Sequence, residues 1–203
     1  MKMNGLTMNM KSIFTAAIAT GILAGSASAD LMWDEAIDGD LSDNYLAPTS
    51  LFTKGVNNHV IFETSTGDDR EFFTFTIASG FELSAIILDE FATEPESNLG
   101  FISINQGSVL PFDPDAPNVT QLLGYYLPGT DDVGNDILQL MGQGGGSQGF
   151  SGPLAAGTYT FWAQETAPSV DMWDLNFVVT EVPAPGALAL LGLAGFAGKR
   201  RHS

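Results

Sequence analysis

The sequence contains no cysteine. Disulfides, thiolate catalysis and cysteine-based zinc sites are therefore excluded, and stabilisation outside a reducing compartment has to come from packing or from oxygen ligands. Cations are almost as scarce: Lys and Arg number 7 against 24 Asp and Glu. All the acidic residues fall between Asp30 and Glu181, where Lys54 and Arg70 are the only basic ones. That stretch carries 24 carboxylates against two cations, a net of −22. Such a surface repels nucleic acid and anionic membranes. It also repels acidic polysaccharide unless a divalent cation bridges the two. No stretch between the termini keeps a helical period for long, and no apolar run reaches the ~20 residues of a spanning helix.

The termini carry signals. Lys2 and Lys11 make a positive n-region, Ile13 to Ala24 an apolar h-region, and Ala27-Ser28-Ala29 an A-x-A cleavage site. These are the parts of a secretory signal peptide, and Met10-Lys11-Ser12 would open a tidier one. The exported chain is expected to begin near Asp30. At the other end Val182-Pro183-Ala184-Pro185-Gly186 leads into an apolar run from Ala187 to Gly198, followed by Lys199-Arg200-Arg201. The run is about half the length of a spanning helix, and its glycine and alanine make it weakly hydrophobic. The basic cluster stays cytoplasmic by the positive-inside bias. Such a tail inserts transiently and holds the chain in the membrane until it is cut.

This tail resembles the PEP-CTERM sorting signal of Gram-negative bacteria, over about residues 182–203. In that family a proline motif, a short helix and an Arg-rich end are read by a membrane protease-transferase, exosortase. Ala184 stands where the family usually has Glu. The resemblance implies Val182, Pro183, Ala184 and Pro185 with Lys199, Arg200 and Arg201 as the sorting motif, and an exosortase-type enzyme as partner. The plainer alternative is an ordinary weak C-terminal anchor.

Between the signal peptide (1–29) and the tail (182–203), residues 30–181 have the size of one domain. A chain of that length buries about two thirds of its unfolded surface, so it needs neither metal nor disulfide merely to fold. Glu71-Phe72-Phe73-Thr74-Phe75-Thr76-Ile77 alternates, with Phe73, Phe75 and Ile77 on one face. Period-two alternation of aromatic and β-branched residues marks a half-buried strand. Ser79-Gly80 makes a turn into Phe81–Leu88. His59–Thr64, Gly100–Asn105, Gln121–Tyr126, Ile137–Leu140, Thr158–Gln164 and Leu175–Thr180 are further candidate strands. Short strands separated by Gly, Pro, Asn and Asp predict an all-β fold, a single jelly-roll-like β-sandwich.

Asp38-Gly39-Asp40-Leu41-Ser42-Asp43 opens this domain, with Ala47-Pro48-Thr49 after it. Gly67-Asp68-Asp69-Arg70-Glu71-Phe72-Phe73-Thr74-Phe75 and Leu154-Ala155-Ala156-Gly157-Thr158-Tyr159 follow later. Together these are similar to the pre-peptidase C-terminal type of β-sandwich on secreted bacterial proteins, over about residues 60–180. The resemblance implies a non-catalytic accessory module that binds matrix or calcium. Arg70-Glu71 stand where the family's second Asp would fall, a departure that puts any metal role carried over by the resemblance in doubt.

Closely spaced Asp around Gly can provide the six to eight oxygens of a calcium ion. The candidate ligands are Asp38, Asp40 and Asp43 in one loop, Asp68 and Asp69 at a strand start, and Asp131, Asp132 and Asp136 around Gly134. None forms an EF-hand, because the twelfth position from Asp38 is Thr49. The opposing reading makes them turn residues on an acidic surface.

Other motifs are weaker. Gly145-Gly146-Ser147-Gln148-Gly149 fits a nucleophile elbow, but the only later histidine is His202, inside the tail. Gly144 to Gly149 fits G-x-G-x-x-G without the required βαβ unit. His59 reads as structural. Trp162, Trp173, Tyr125, Tyr126 and Tyr159 fill a core or form a sugar-stacking platform. Asn118-Val119-Thr120 is a glycosylation sequon only where a pathway reads it. Three functions remain: a non-catalytic surface or matrix protein that binds calcium or glycan, a secreted polysaccharide hydrolase using Asp carboxylates, and a solubilising coat protein without a ligand.

Overall fold

Alternation of apolar and polar residues builds most of the architecture. The computed structural model describes residues 29–66, 69–95 and 97–183. The signal peptide through Ser28, Asp68, and the tail from Ala184 onward lie outside the described residues. Nine strands run through them: β1 (Ala29–Asp34), β2 (Thr49–Ser50), β3 (Asn57–Ser65), β4 (Glu71–Ile77), β5 (Phe81–Glu94), β6 (Gly100–Gln106), β7 (Gly124–Tyr126), β8 (Gly157–Glu165) and β9 (Val170–Glu181). The only α-helices among the described residues are single turns, α1 (Glu35–Asp38) and α2 (Leu138–Met141). No helix among them is long and apolar enough to cross a membrane. The chain is therefore all-β, in a four-stranded sheet of order β1-β3-β9-β5 and a five-stranded sheet of order β2-β4-β8-β6-β7.

Successive strands from β3 to β6 alternate between the sheets, and β8 and β9 do so again. The free edge of β5 is covered by residues 134–137. Gly134 N–H donates to Leu88 O (2.7 Å) and Ile137 N–H to Ile86 O (2.8 Å). Capping an edge in this way removes a template for pairing with other chains.

The core lies between the sheets. Phe177 of β9 meets Phe73, Phe75 and Phe161 of the opposite sheet edge-on, with ring centroids 5.8, 5.1 and 5.0 Å apart. Edge-to-face pairs of this kind each contribute about 0.5–1.5 kcal/mol beyond area burial. Farther along, Trp173 stacks on Phe62 (5.6 Å) and takes Phe91 edge-on (4.7 Å). Gly100 makes room for this group, since a Cβ there would lie 2.2 Å from the Trp173 ring. A smaller cluster of Phe72, Leu110, Leu122 and Trp162 covers the outer face of the five-stranded sheet.

Two of the expected strands come out differently. Ile137–Leu140 is not a strand: Leu138–Met141 forms α2, with Leu138 and Met141 buried. Four residues are too few to separate a strand from one helical turn by pattern. The expected strand at Gln121–Tyr126 shortens to β7, because Asn118 caps a 3-10 turn over Val119–Gln121. β1 and the first part of β9 extend beyond the alternation visible in the sequence.

Candidate metal centre

At one end of the two sheets the apolar rows stop and carboxylates begin. α1 follows β1 directly, with Asp34 as N-cap accepting from Ala36 N–H (3.0 Å). Gly39 ends the turn at φ +90°, a conformation that glycine adopts without strain. Trp33 Nε1–H donates to Gly39 O (2.9 Å), and buried Leu41 anchors the loop. Ser42 then bridges to Phe72 through Phe72 N–H to Ser42 O (2.9 Å). That bridge brings Asp40 and Asp43 beside the start of β4.

The result is two overlapping sets of carboxylates, Glu35–Asp40–Glu71 and Asp40–Asp43–Asp69. Within each set the oxygens lie within 4.8 Å of one another. Asp40 belongs to both sets; Glu71, in the first, is fully buried, and neither of its carboxylate oxygens has a hydrogen-bond partner. Glu35 Oε1 is also buried without a partner, while Oε2 accepts from Glu63 N–H (2.7 Å). Asp69 Oδ2 accepts from Ser65 Oγ–H at 2.6 Å. Among the described residues no basic side chain closes the group: Arg70 pairs with Asp115 (2.7 Å), and the Lys54 ammonium donates to Leu31 O.

An unpaired buried carboxylate is costly, so it neutralises or takes a cation. Burial, reinforced by Glu35, Asp40, Asp69 and Asp43, raises the Glu71 carboxyl to about 9. Burial, and then the hydrogen bond and charge of Asp40, raise Glu35 to about 7. Burial and the charges of Asp40 and Asp69 push Asp43 up as well. Two carboxylate sets sharing Asp40, with unpartnered oxygens on Glu35 and Glu71, are a hard-cation donor set, and calcium is the ion that accepts irregular, oxygen-only ligation.

The residues singled out from sequence divide accordingly. Asp40, Asp43 and Asp69 come together here. Asp38 is exposed on α1 and accepts from Asp34 N–H, and Asp68 lies outside the described residues. The third cluster does not converge. Asp132 accepts from Gly129 N–H and Tyr126 O–H, and Asp136 accepts from Ile86 and Leu138 N–H, all at 2.9–3.1 Å. Asp131 stays exposed.

Glu35 and Glu71 were missed in the sequence. Glu71 was nonetheless findable: the parity that places Phe73, Phe75 and Ile77 on one face places Glu71 there too. A carboxylate on a core face needs a partner.

His59 sits on the outer face of the four-stranded sheet, its Nδ1 2.8 Å from Asp174 and 3.7 Å from Asp89. Trp173 and Tyr159 belong to the main core, with Tyr126 packed against it. Only Trp162 and Tyr125 share an outer cavity of about 290 Å³, which Phe101, Leu122 and Gln164 also line. Trp162 Nε1, Ser103 Oγ and Gln164 Oε1 on that face have no partners. Ser147 Oγ–H donates to Gly144 O (2.7 Å) inside a turn.

No family model, curated protein or solved structure matches this chain.

Proposed function

We propose that the chain is a non-catalytic exported protein, sorted by an exosortase-type enzyme to the cell surface or the extracellular polysaccharide matrix. Its jelly-roll-like sandwich binds calcium through Glu35, Asp40, Asp43, Asp69 and Glu71. The observation that carries this reading is Glu71, a wholly buried carboxylate with no partner among four other carboxylates. The strand order supports the jelly roll, since β3-β9-β5 with residues 134–137 faces β4-β8-β6-β7. The signal peptide, the short hydrophobic tail and its transient membrane insertion remain readings of the sequence. They fit a domain whose last strand ends at Glu181, one residue before the sorting motif.

Bound calcium would offset the repulsion between a −22 domain and an acidic glycan. The outer cavity beside Trp162 and Tyr125 supports direct glycan contact through its aromatic walls. A polysaccharide hydrolase has one point in its favour, the Glu35 carboxyl poised near 7 beside Asp40. Glycosidases hold their two carboxyls about 5–10 Å apart around a substrate. These lie within 4.8 Å, and Glu71 has no exposed surface. That spacing fits an ion.

Co-sedimentation of the purified protein with the host's extracellular polysaccharide, in calcium and then in chelator, tests the reading. Binding that requires calcium and weakens in Tyr125→Ala is expected. Equal recovery in the pellet with and without calcium would overturn it.

A further inference from the structure

We infer that a second divalent cation binds at the same end of the sandwich, held by Asp171 of β9 and Glu165 of β8. This inference rests on the calcium reading for the identity of the ion but not on the Glu71 site being filled.

The strands themselves place these residues. Along β9 every second residue faces the core, and the inward row Phe62–Trp173–Phe91 spans β3, β9 and β5. One step toward the end of the sheet, the inward row is Thr64–Asp171–Thr93, all three buried. On the opposite sheet Phe161 and Ala163 of β8 face the core, and by the same alternation Glu165 is the next inward residue. Toward this end, aromatic packing thus gives way to oxygen-bearing side chains on inward positions of both sheets.

Asp171 has no exposed surface, and neither of its carboxylate oxygens has a hydrogen-bond partner; Glu165 Oε2 is buried and unpartnered as well. The hydroxyls nearby do not serve Asp171. Thr64 Oγ1 accepts the Trp173 indole N–H (3.2 Å), Thr93 Oγ1 donates to Pro95 O (3.4 Å), and Ser169 Oγ donates to Ala167 O (3.0 Å). Arg70 is the one cation acting on Glu165, and its guanidinium is bound to Asp115. The carboxylates that raise Glu165, after burial, are Asp171 and Asp69. Two carboxylates with three orphaned oxygens, plus the free lone pairs of two threonine hydroxyls, make a partial oxygen shell of the kind calcium completes with water or carbonyl groups.

The test is isothermal titration of calcium chloride into the purified, chelator-stripped chain. The wild type is expected to take up two ions, and Asp171→Asn and Glu71→Gln one each. Asp171→Asn should also melt higher than wild type in chelator, because it removes an unpartnered buried carboxylate, and gain less on adding calcium. If Asp171→Asn does not fold, Glu165→Gln, at a half-buried position, is expected to give the same loss of one ion. One ion in wild type, lost in Glu71→Gln and retained in Asp171→Asn or Glu165→Gln, would overturn the second site. An ion lost in Asp171→Asn but none in Glu71→Gln would uphold it while removing the first.

Discussion

Glu35, on the turn after β1, and Glu71, at the first residue of β4, bring carboxylate oxygens within 4.8 Å of each other. With Asp40 they form a set that no side-chain cation among the described residues closes. The fold tolerates this only by keeping protons on the group or by binding a metal ion.

The pH dependence of the ion-free protein follows. Glu71 moves from an ordinary 4.5 to about 9 on folding, and Glu35 from 4.5 to about 7. Between those values the folded chain holds protons that the unfolded chain has released, so stability falls as pH rises from about 4.5 toward 9. In chelator, the melting temperature is expected to be higher at pH 5 than at pH 8. Calcium competes with the same protons, so its affinity should rise over that range. A stability that increases from pH 5 to pH 8 without calcium would contradict the placement of Glu71.

Core stability centres on Phe177, which touches three aromatic rings of the opposite sheet. Phe177→Ala is expected to cost about 3–5 kcal/mol in chemical unfolding. Phe52→Ala should change stability by less than about 0.5 kcal/mol, since Phe52 is 77% exposed. Comparable losses from the two would place the core elsewhere.

Retention is expected to depend on the tail. Truncation after Glu181 leaves β9 complete, so the domain should fold and appear in the culture medium. Fractionation of cells and medium reads this directly, and a truncated chain still held at the surface would show that the tail is not the retention signal.

The fold was largely legible because β4, β5 and β8 alternate clearly and glycine-rich turns separate them. The site was half legible. Asp40, Asp43 and Asp69 are recognisable as loop carboxylates, but only tertiary pairing shows that Ser42 docks on Phe72 and carries Asp40 and Asp43 to Asp69 and Glu71. Nothing local separates them from Asp132 and Asp136, whose carboxylates close turns. Asp171 and Glu165 were missed because each ends or begins a strand, where alternation is hardest to phase. Ile137–Leu140 was misread because so short an apolar run fits either period.

The most direct test of the account is the thermal shift of the purified chain on adding saturating calcium after chelator treatment, with Glu71→Gln alongside. Ligand at about 100 times its Kd stabilises by about 2.7 kcal/mol, which in a domain of this size is a rise of about 5–10 °C. The account predicts that rise in wild type and a clearly smaller one in Glu71→Gln. A wild-type melting temperature unchanged by calcium would contradict it.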